Sequence, residues 1–204
     1  WAPAWSVMIP LALVWVLVLF VIGRGLSKGV EAANKVFLPL LVILFLALVV
    51  RALFLPGAVE GLNAFFTPNW SALSDPKVWL AAFAQIFYSL SVGFGIMLTY
   101  ASYLQRKSNL TGTALVAGFA NSSFEILAGI GVFSAVGFMA HQGGVSVSEV
   151  EGLTGPILSF VTFPKIISMM PGGPIFGVLF FSSLVLAGVT SLLSLLQVVS
   201  GGLQ

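Results

Sequence analysis

Gln85-Ile-Phe-Tyr-Ser-Leu-Ser-Val-Gly-Phe-Gly95 lies in the middle of an apolar run long enough to cross a bilayer. An apolar helix has no structural need for Gln85, Ser89, Ser91, Gly93 and Gly95 at its centre. The two glycines flank one residue, remove side chains and weaken the helix there. A broken helix frees backbone carbonyls and amides that can bind an ion or a small solute. The competing reading is a buried, kinked helix whose serines bond back to their own turn.

Around this stretch the chain is uniformly apolar. Of 204 residues, 59% are hydrophobic and only 7% charged, and the mean hydropathy is +1.12. Soluble domains carry about 25% charged residues, so the composition is that of an integral membrane protein. No long polar segment leaves space for a separate soluble domain, and residues 1–204 are expected to form a single membrane domain. The chain has no cysteine, which excludes disulfides and thiolate metal sites. A net charge of +2 gives no reason to expect nucleic acid as a partner. Trp1 opens the chain without Met, basic n-region or cleavage site. The expectation is an internal piece of a longer protein.

Five apolar runs stand out, at about residues 5–22, 36–54, 78–103, 113–140 and 175–199. Each is long enough for roughly 30 Å of hydrocarbon. Arg24, Lys28, Glu31 and Lys35 link the first two, so that these form a hairpin around a basic loop. Residues 55–77 contain Gly57, Gly61, Asn63, Pro68, Asn69 and Pro76, and read as a surface loop with no helix longer than a turn or two. Residues 141–174 form a second loop. Within it Ser146 to Leu153 reads as a short amphipathic helix exposing Glu149 and Glu151. Ile157 to Met170, with Pro164 and Lys165, is too short for a span and reads as a re-entrant or surface-lying helix.

Short basic loops set orientation. Arg24, Lys28, Lys35, Arg106 and Lys107 fall on one side if five spans alternate, and that side is expected to be cytoplasmic. The loops at 55–77 and 141–174 then face outward with Glu60, Asp75, Glu149 and Glu151; Lys77 and Lys165 run against the rule. Asn69-Trp-Ser71 is a formal glycosylation sequon on the outer loop, a triplet common by chance.

Glu125 is the one acid placed well inside a run, where an isolated charge costs several kcal/mol. It must be paired, protonated or useful. Asn121 lies one turn earlier on the same helix face. Ser89, Ser91 and Asn121 supply neutral oxygens of the kind hard cations prefer. Ala187-Gly-Val-Thr190-Ser191 adds a second cluster of small and hydroxyl residues. Each such serine or threonine, taken singly, can instead bond to its own backbone or pack against a neighbouring helix.

Three motifs in this order, the Gln85–Gly95 stretch followed by Thr99-Tyr-Ala-Ser-Tyr103, the Asn121 and Glu125 pair, and Ala187-Gly-Val-Thr-Ser191, resemble the neurotransmitter:sodium symporter family, and most of all its bacterial amino-acid transporters. The resemblance covers essentially the whole chain. It implies an all-α integral membrane fragment of the inverted-repeat twelve-helix symporter fold, running from the fourth to the eighth helix, with about five transmembrane helices, one unwound at its centre. It further implies a sodium-coupled symporter that imports a small or hydrophobic amino acid by alternating access, in the bacterial cytoplasmic membrane.

Carried over position by position, the family pattern makes Ser89 and Asn121 ligands of a first sodium site. It gives the carbonyl of Ala187 and the hydroxyls of Thr190 and Ser191 to a second. Tyr88, Ser89, Ser91, Gly93, Phe94, Gly95, Ser191 and Leu195 are implied to contact substrate, with Tyr88 as an aromatic lid. Gln85 and Tyr88 belong to an outer gate and Tyr103 to an inner one. Glu125 occupies a position that is serine in chloride-dependent members and helps bind the anion there. A fixed carboxylate implies that no chloride is needed. The family's first helix completes both sodium sites, and it is expected to precede Trp1, as four further helices are expected to follow Gln204.

Two other readings remain open on sequence. One is a sodium symporter of another small solute, an osmolyte or an amine. The other is a transport-incompetent membrane sensor or scaffold of the same fold. An enzyme is not indicated, since the single His141 has no evident nucleophile or metal partner. The sequence leaves the oligomeric state open.

Overall fold

The computed structural model describes residues 4–105, 107–150 and 155–203. Arg106 of the basic loop and Glu151 of the loop at 141–174 lie outside the described residues. The described residues are helical and contain no strand. Among them nine α-helices follow in order: α1 (Trp5–Gly23), α2 (Ala32–Leu53), α3 (Ala58–Phe66), α4 (Pro76–Ser89), α5 (Ile96–Ser102), α6 (Leu110–Gly143), α7 (Gly155–Ile157), α8 (Phe163–Met169) and α9 (Gly173–Gly202). A π-helical turn, Leu26–Glu31, leads into α2, and another, Leu158–Thr162, joins α7 to α8.

Four of the described stretches, Trp5–Gly23, Lys28–Leu53, Leu110–Gly143 and Gly173–Gly202, are long and apolar enough to cross a membrane. Two shorter helices, α4 and α5, precede and follow the non-helical residues 90–95 along the chain. Local chemistry explains the ends. Asp75 caps α4 by accepting the Lys77 amide at 2.9 Å, with Pro76 at the first helical position. Asn109 caps α6 through the Gly112 amide at 2.9 Å, and Gly144, with φ 64°, closes its other end.

The described chain falls into two compact units. One comprises the described residues of Trp1–Val42, Ser91–Ser108 and Ser182–Gln204; the other, Ile43–Leu90 and Asn109–Phe181. In the first, Val18 and Val21 of α1, Val30 and the α9 residues Val189 and Leu193 form a buried cluster. In the second, the last third of α6 is the buried core. Gly131, Ser134, Ala135, Val136, Gly137, Phe138 and Ala140 are all inside. With 34 residues α6 is about 50 Å long at 1.5 Å per residue, longer than roughly 30 Å of hydrocarbon. One helix can therefore supply both a polar site and a packed core.

Residues 55–77 correct the expectation of a surface loop. Nine residues form α3, which packs on α6 with Ala58 and Gly61 buried. Gly57 and Gly61 are contact points, not breakers. A Cβ on Gly61 would overlap the Phe133 carbonyl and come within 3.0 Å of the Gly137 amide nitrogen. One on Gly137 would meet the Gly61 amide nitrogen at 2.7 Å. Small residues let two helices approach backbone to backbone, as in membrane helix pairs. The short amphipathic helix expected from Ser146 is also corrected. Its described part is a single 3₁₀ turn, Val147–Glu149, after which Val150 is extended, and residues 151–153 lie outside the described residues. The Ser146 amide donates to Glu149 Oε2 at 2.9 Å in a capping box.

Candidate ion and solute site

The interrupted helix owes its shape to the backbone. Gly93 and Gly95 adopt φ of 86° and 78°, which glycine reaches without strain. Ser91, at φ 53°, is the one non-glycine residue in the left-handed region among the described residues. That conformation costs about 1–2 kcal/mol for a residue with a Cβ. A strained serine between helix ends marks a position held by its surroundings.

In the unit containing α4 and α6, a polar cluster forms beside the end of α4. Asn121 Nδ2 donates to Ser89 Oγ at 3.2 Å and to Glu125 Oε1 at 3.2 Å. Ser89 Oγ in turn donates to the Ile86 carbonyl at 3.4 Å. Both amide protons of Asn121 are thereby engaged. Its carbonyl oxygen accepts no hydrogen bond from the described residues. Ser89, Asn121 and Glu125 are half-buried, while Gln85 and Tyr88 are exposed on the preceding turn.

In the other unit, Thr190 is buried and its Oγ1 donates to the Leu186 and Ala187 carbonyls at 3.0 and 2.9 Å. The Ala187 carbonyl and the Thr190 hydroxyl thus sit side by side. Ser191, the next residue, is exposed, as is Leu195. Gly95 lies against α9, where an added Cβ would stand 3.3 Å from Val198 Cγ1. Phe94 is exposed beside it.

Sequence reasoning missed how α5 is fastened to α9. The Tyr100 hydroxyl donates to Ser194 Oγ at 3.0 Å, and Gln197 Nε2 donates to the Tyr103 hydroxyl at 3.3 Å. Tyr100 of α5 and Tyr103, the residue that ends it, meet polar residues three apart on α9. Gly201 leaves room for this, since a Cβ there would stand 3.3 Å from the Tyr103 hydroxyl. The matching spacing was the available signal.

No cluster of three or more His, Cys, Asp or Glu able to hold a metal occurs among the described residues. The oxygen sets are neutral hydroxyls, carbonyls and one amide, with a single nearby carboxylate. Such a set suits a monovalent hard cation better than a divalent one, which draws on several carboxylates.

Four stretches long and apolar enough to cross a membrane define the described chain as a polytopic helical membrane protein. The model of the Sodium:neurotransmitter symporter family matches residues 2–204. An uncharacterized sodium-dependent transporter of Methanocaldococcus jannaschii is 42% identical over 197 residues, 95% of this chain and 39% of that protein. The human sodium- and chloride-dependent creatine transporter 1 is 37% identical over 188 residues, 92% of this chain and 29% of that protein. The sodium- and chloride-dependent taurine transporter of Rattus norvegicus is 38% identical, again over 92% of this chain and 30% of that protein. The chain belongs to the sodium:neurotransmitter symporter family, whose members are multi-pass membrane transporters that use sodium. It spans between about 29% and 39% of the length of these relatives.

Proposed function

We propose that the full-length parent is a sodium-coupled symporter that imports a small or hydrophobic amino acid by alternating access and needs no chloride. One observation carries this reading: the Asn121 amide donates to both Ser89 and Glu125, so that its carbonyl oxygen is not used within the cluster. Ser89 and Asn121 would ligate one sodium ion, and Ala187, Thr190 and Ser191 a second. Residues Tyr88, Ser91, Gly93, Phe94, Gly95 and Leu195 would contact the solute, the glycines leaving space for its side chain. Gln85 and Tyr88 would close the site from outside and Tyr103 from inside.

Glu125 supplies a fixed negative charge one turn from Asn121, the charge that an anion would otherwise bring near the cation. Electroneutrality in a site of low dielectric favours one of the two. The basic residues Arg24, Lys28, Lys35 and Lys107 would face the cytoplasm of a bacterial cell.

A second reading draws on the relatives. The creatine and taurine transporters carry small zwitterionic solutes in their names, so the solute here is an osmolyte or amine in the competing account. Uptake by proteoliposomes of the full-length parent separates the two. Labelled amino acids should accumulate with sodium outside, fail to do so with potassium, and be unaffected by gluconate in place of chloride. Sodium-driven uptake of taurine or creatine alone selects the second reading. Loss of uptake in gluconate overturns the role given to Glu125.

A further inference from the structure

α5 is joined to α9 by hydroxyl groups, not by burial. None of its seven residues is buried, and residues 90–95 before it are not helical, so no longer helix carries it. A helix this short is marginal by itself. Its place in the unit depends on what its side chains bond to, and Tyr100 is bonded to Ser194. On α9, by contrast, Val189 and Leu193 sit in the buried cluster with Val18 and Val21 of α1. α9 is anchored by burial and α5 is not.

Counting protons fixes the direction of the Tyr100 bond. Ser194 Oγ donates to the Thr190 carbonyl at 3.2 Å, and a carbonyl can only accept. A hydroxyl has one proton, so Ser194 must accept from Tyr100, whose hydroxyl donates at 3.0 Å. Thr190 repeats the pattern one turn earlier, its single proton going to the Leu186 and Ala187 carbonyls. Thr190 and Ser194 therefore form a row of back-bonds along one face of α9. Such bonds often bend a helix. Here they govern the turns from Leu186 to Ser194, which carry the Ala187 carbonyl and the Thr190 hydroxyl.

We infer that Tyr100 is a positioning residue for the second cation site, acting through Ser194 on the turn that carries Thr190. The inference rests on the reading that gives Ala187, Thr190 and Ser191 to a sodium ion. With Tyr100 donating to it, the Ser194 hydroxyl keeps its own proton on the Thr190 carbonyl. Without that donor the hydroxyl is free to rotate, and the back-bond is no longer enforced. A neutral hydrogen bond is weak enough to open and close. Linkage is reciprocal, so a docked α5 that favours sodium on α9 is itself favoured by sodium.

The test follows hydrogen exchange of residues 96–103 in the purified full-length parent, titrated with sodium chloride against potassium chloride at constant ionic strength. Sodium alone should slow exchange there in the wild type. Tyr100→Phe and Ser194→Ala should each raise the half-saturating sodium concentration at least about fivefold. The double variant should raise it no further than Ser194→Ala alone, since the shared bond is lost only once. Ser194→Thr keeps the hydroxyl and should titrate near the wild type. Melting in potassium should change little in these variants, whereas a packing role would lower the melt and leave the sodium midpoint in place. Thr190→Val reads the underlying site and should weaken sodium at least as much as either single variant. A wild-type midpoint in Tyr100→Phe beside a weakened Thr190→Val overturns the inference and leaves the second site standing. A Thr190→Val variant that titrates like the wild type overturns the site and this inference with it. So does a wild type whose exchange sodium does not slow at all.

Discussion

The two ends of α6 are made for different work. In its last third, glycine and alanine bring backbone against backbone, and Gly137 touches Gly61 closely enough that no side chain fits between them. Near its start, Asn121 and Glu125 are half-buried and joined to α4 by one 3.2 Å hydrogen bond. The first region gains stability from contacts that have no slack. The second leaves the Asn121 carbonyl oxygen without a hydrogen bond from the described residues, and under the proposed function that oxygen would serve a cation. Packing and binding make opposite demands on polar atoms, and the helix separates them along its length.

The sharpest way to break this contrast is at the packed end. Gly61→Val should destabilise the full-length parent by about 3 kcal/mol or more, because backbone atoms cannot yield to the new side chain. Detergent-solubilised protein should show a large drop in melting temperature; an unchanged melt would mean that the two helices are not so close.

At the polar end the expected loss is functional. Asn121→Leu should weaken sodium affinity about tenfold or more, roughly 1.4 kcal/mol. Its melting temperature without sodium should stay near that of the wild type. Equal loss of both would make Asn121 a packing residue like those at the other end.

A smaller change sharpens the contrast at the interruption. Ser91→Gly removes a left-handed non-glycine residue, so the folded state should gain up to about 1 kcal/mol, offset by the greater freedom of glycine when unfolded. A loss of several degrees in melting temperature would mean that the Ser91 hydroxyl holds the segment together.

The smallest effect is expected at Glu149. Its carboxylate accepts the Ser146 amide and hydroxyl, and these bonds hold its pKa below the ordinary glutamate value. The folded pKa is depressed, so the cap's contribution is complete above the unfolded pKa and is lost as pH falls through the folded one. Followed by NMR, the Ser146 amide should titrate with a midpoint below that of an unstructured glutamate. A midpoint at the unstructured value would show that the cap does not form.

How much of this could be read from residues alone follows the range of the interactions. The apolar runs, the interruption at Gly93 and Gly95, and the Asn121 and Glu125 spacing are local, and each was legible. The polar cluster needed one distant partner, Ser89, 32 positions from Asn121. The family pattern supplied it. Gly57 and Gly61 misled because the same residue type breaks a helix in water and joins two helices where they touch. Their meaning depends on Gly137, far along the chain. The pairing of Tyr100 and Tyr103 with Ser194 and Gln197 is hidden for the same reason, since each residue by itself is a common member of a membrane helix.

The most direct measurement is sodium-dependent amino-acid binding to the purified full-length parent, wild type beside Asn121→Leu. Saturable binding should rise with sodium, disappear in potassium, and in the variant need at least about tenfold more sodium. Binding that is the same in potassium, or that keeps its sodium dependence without Asn121, would contradict a cation site built on this residue.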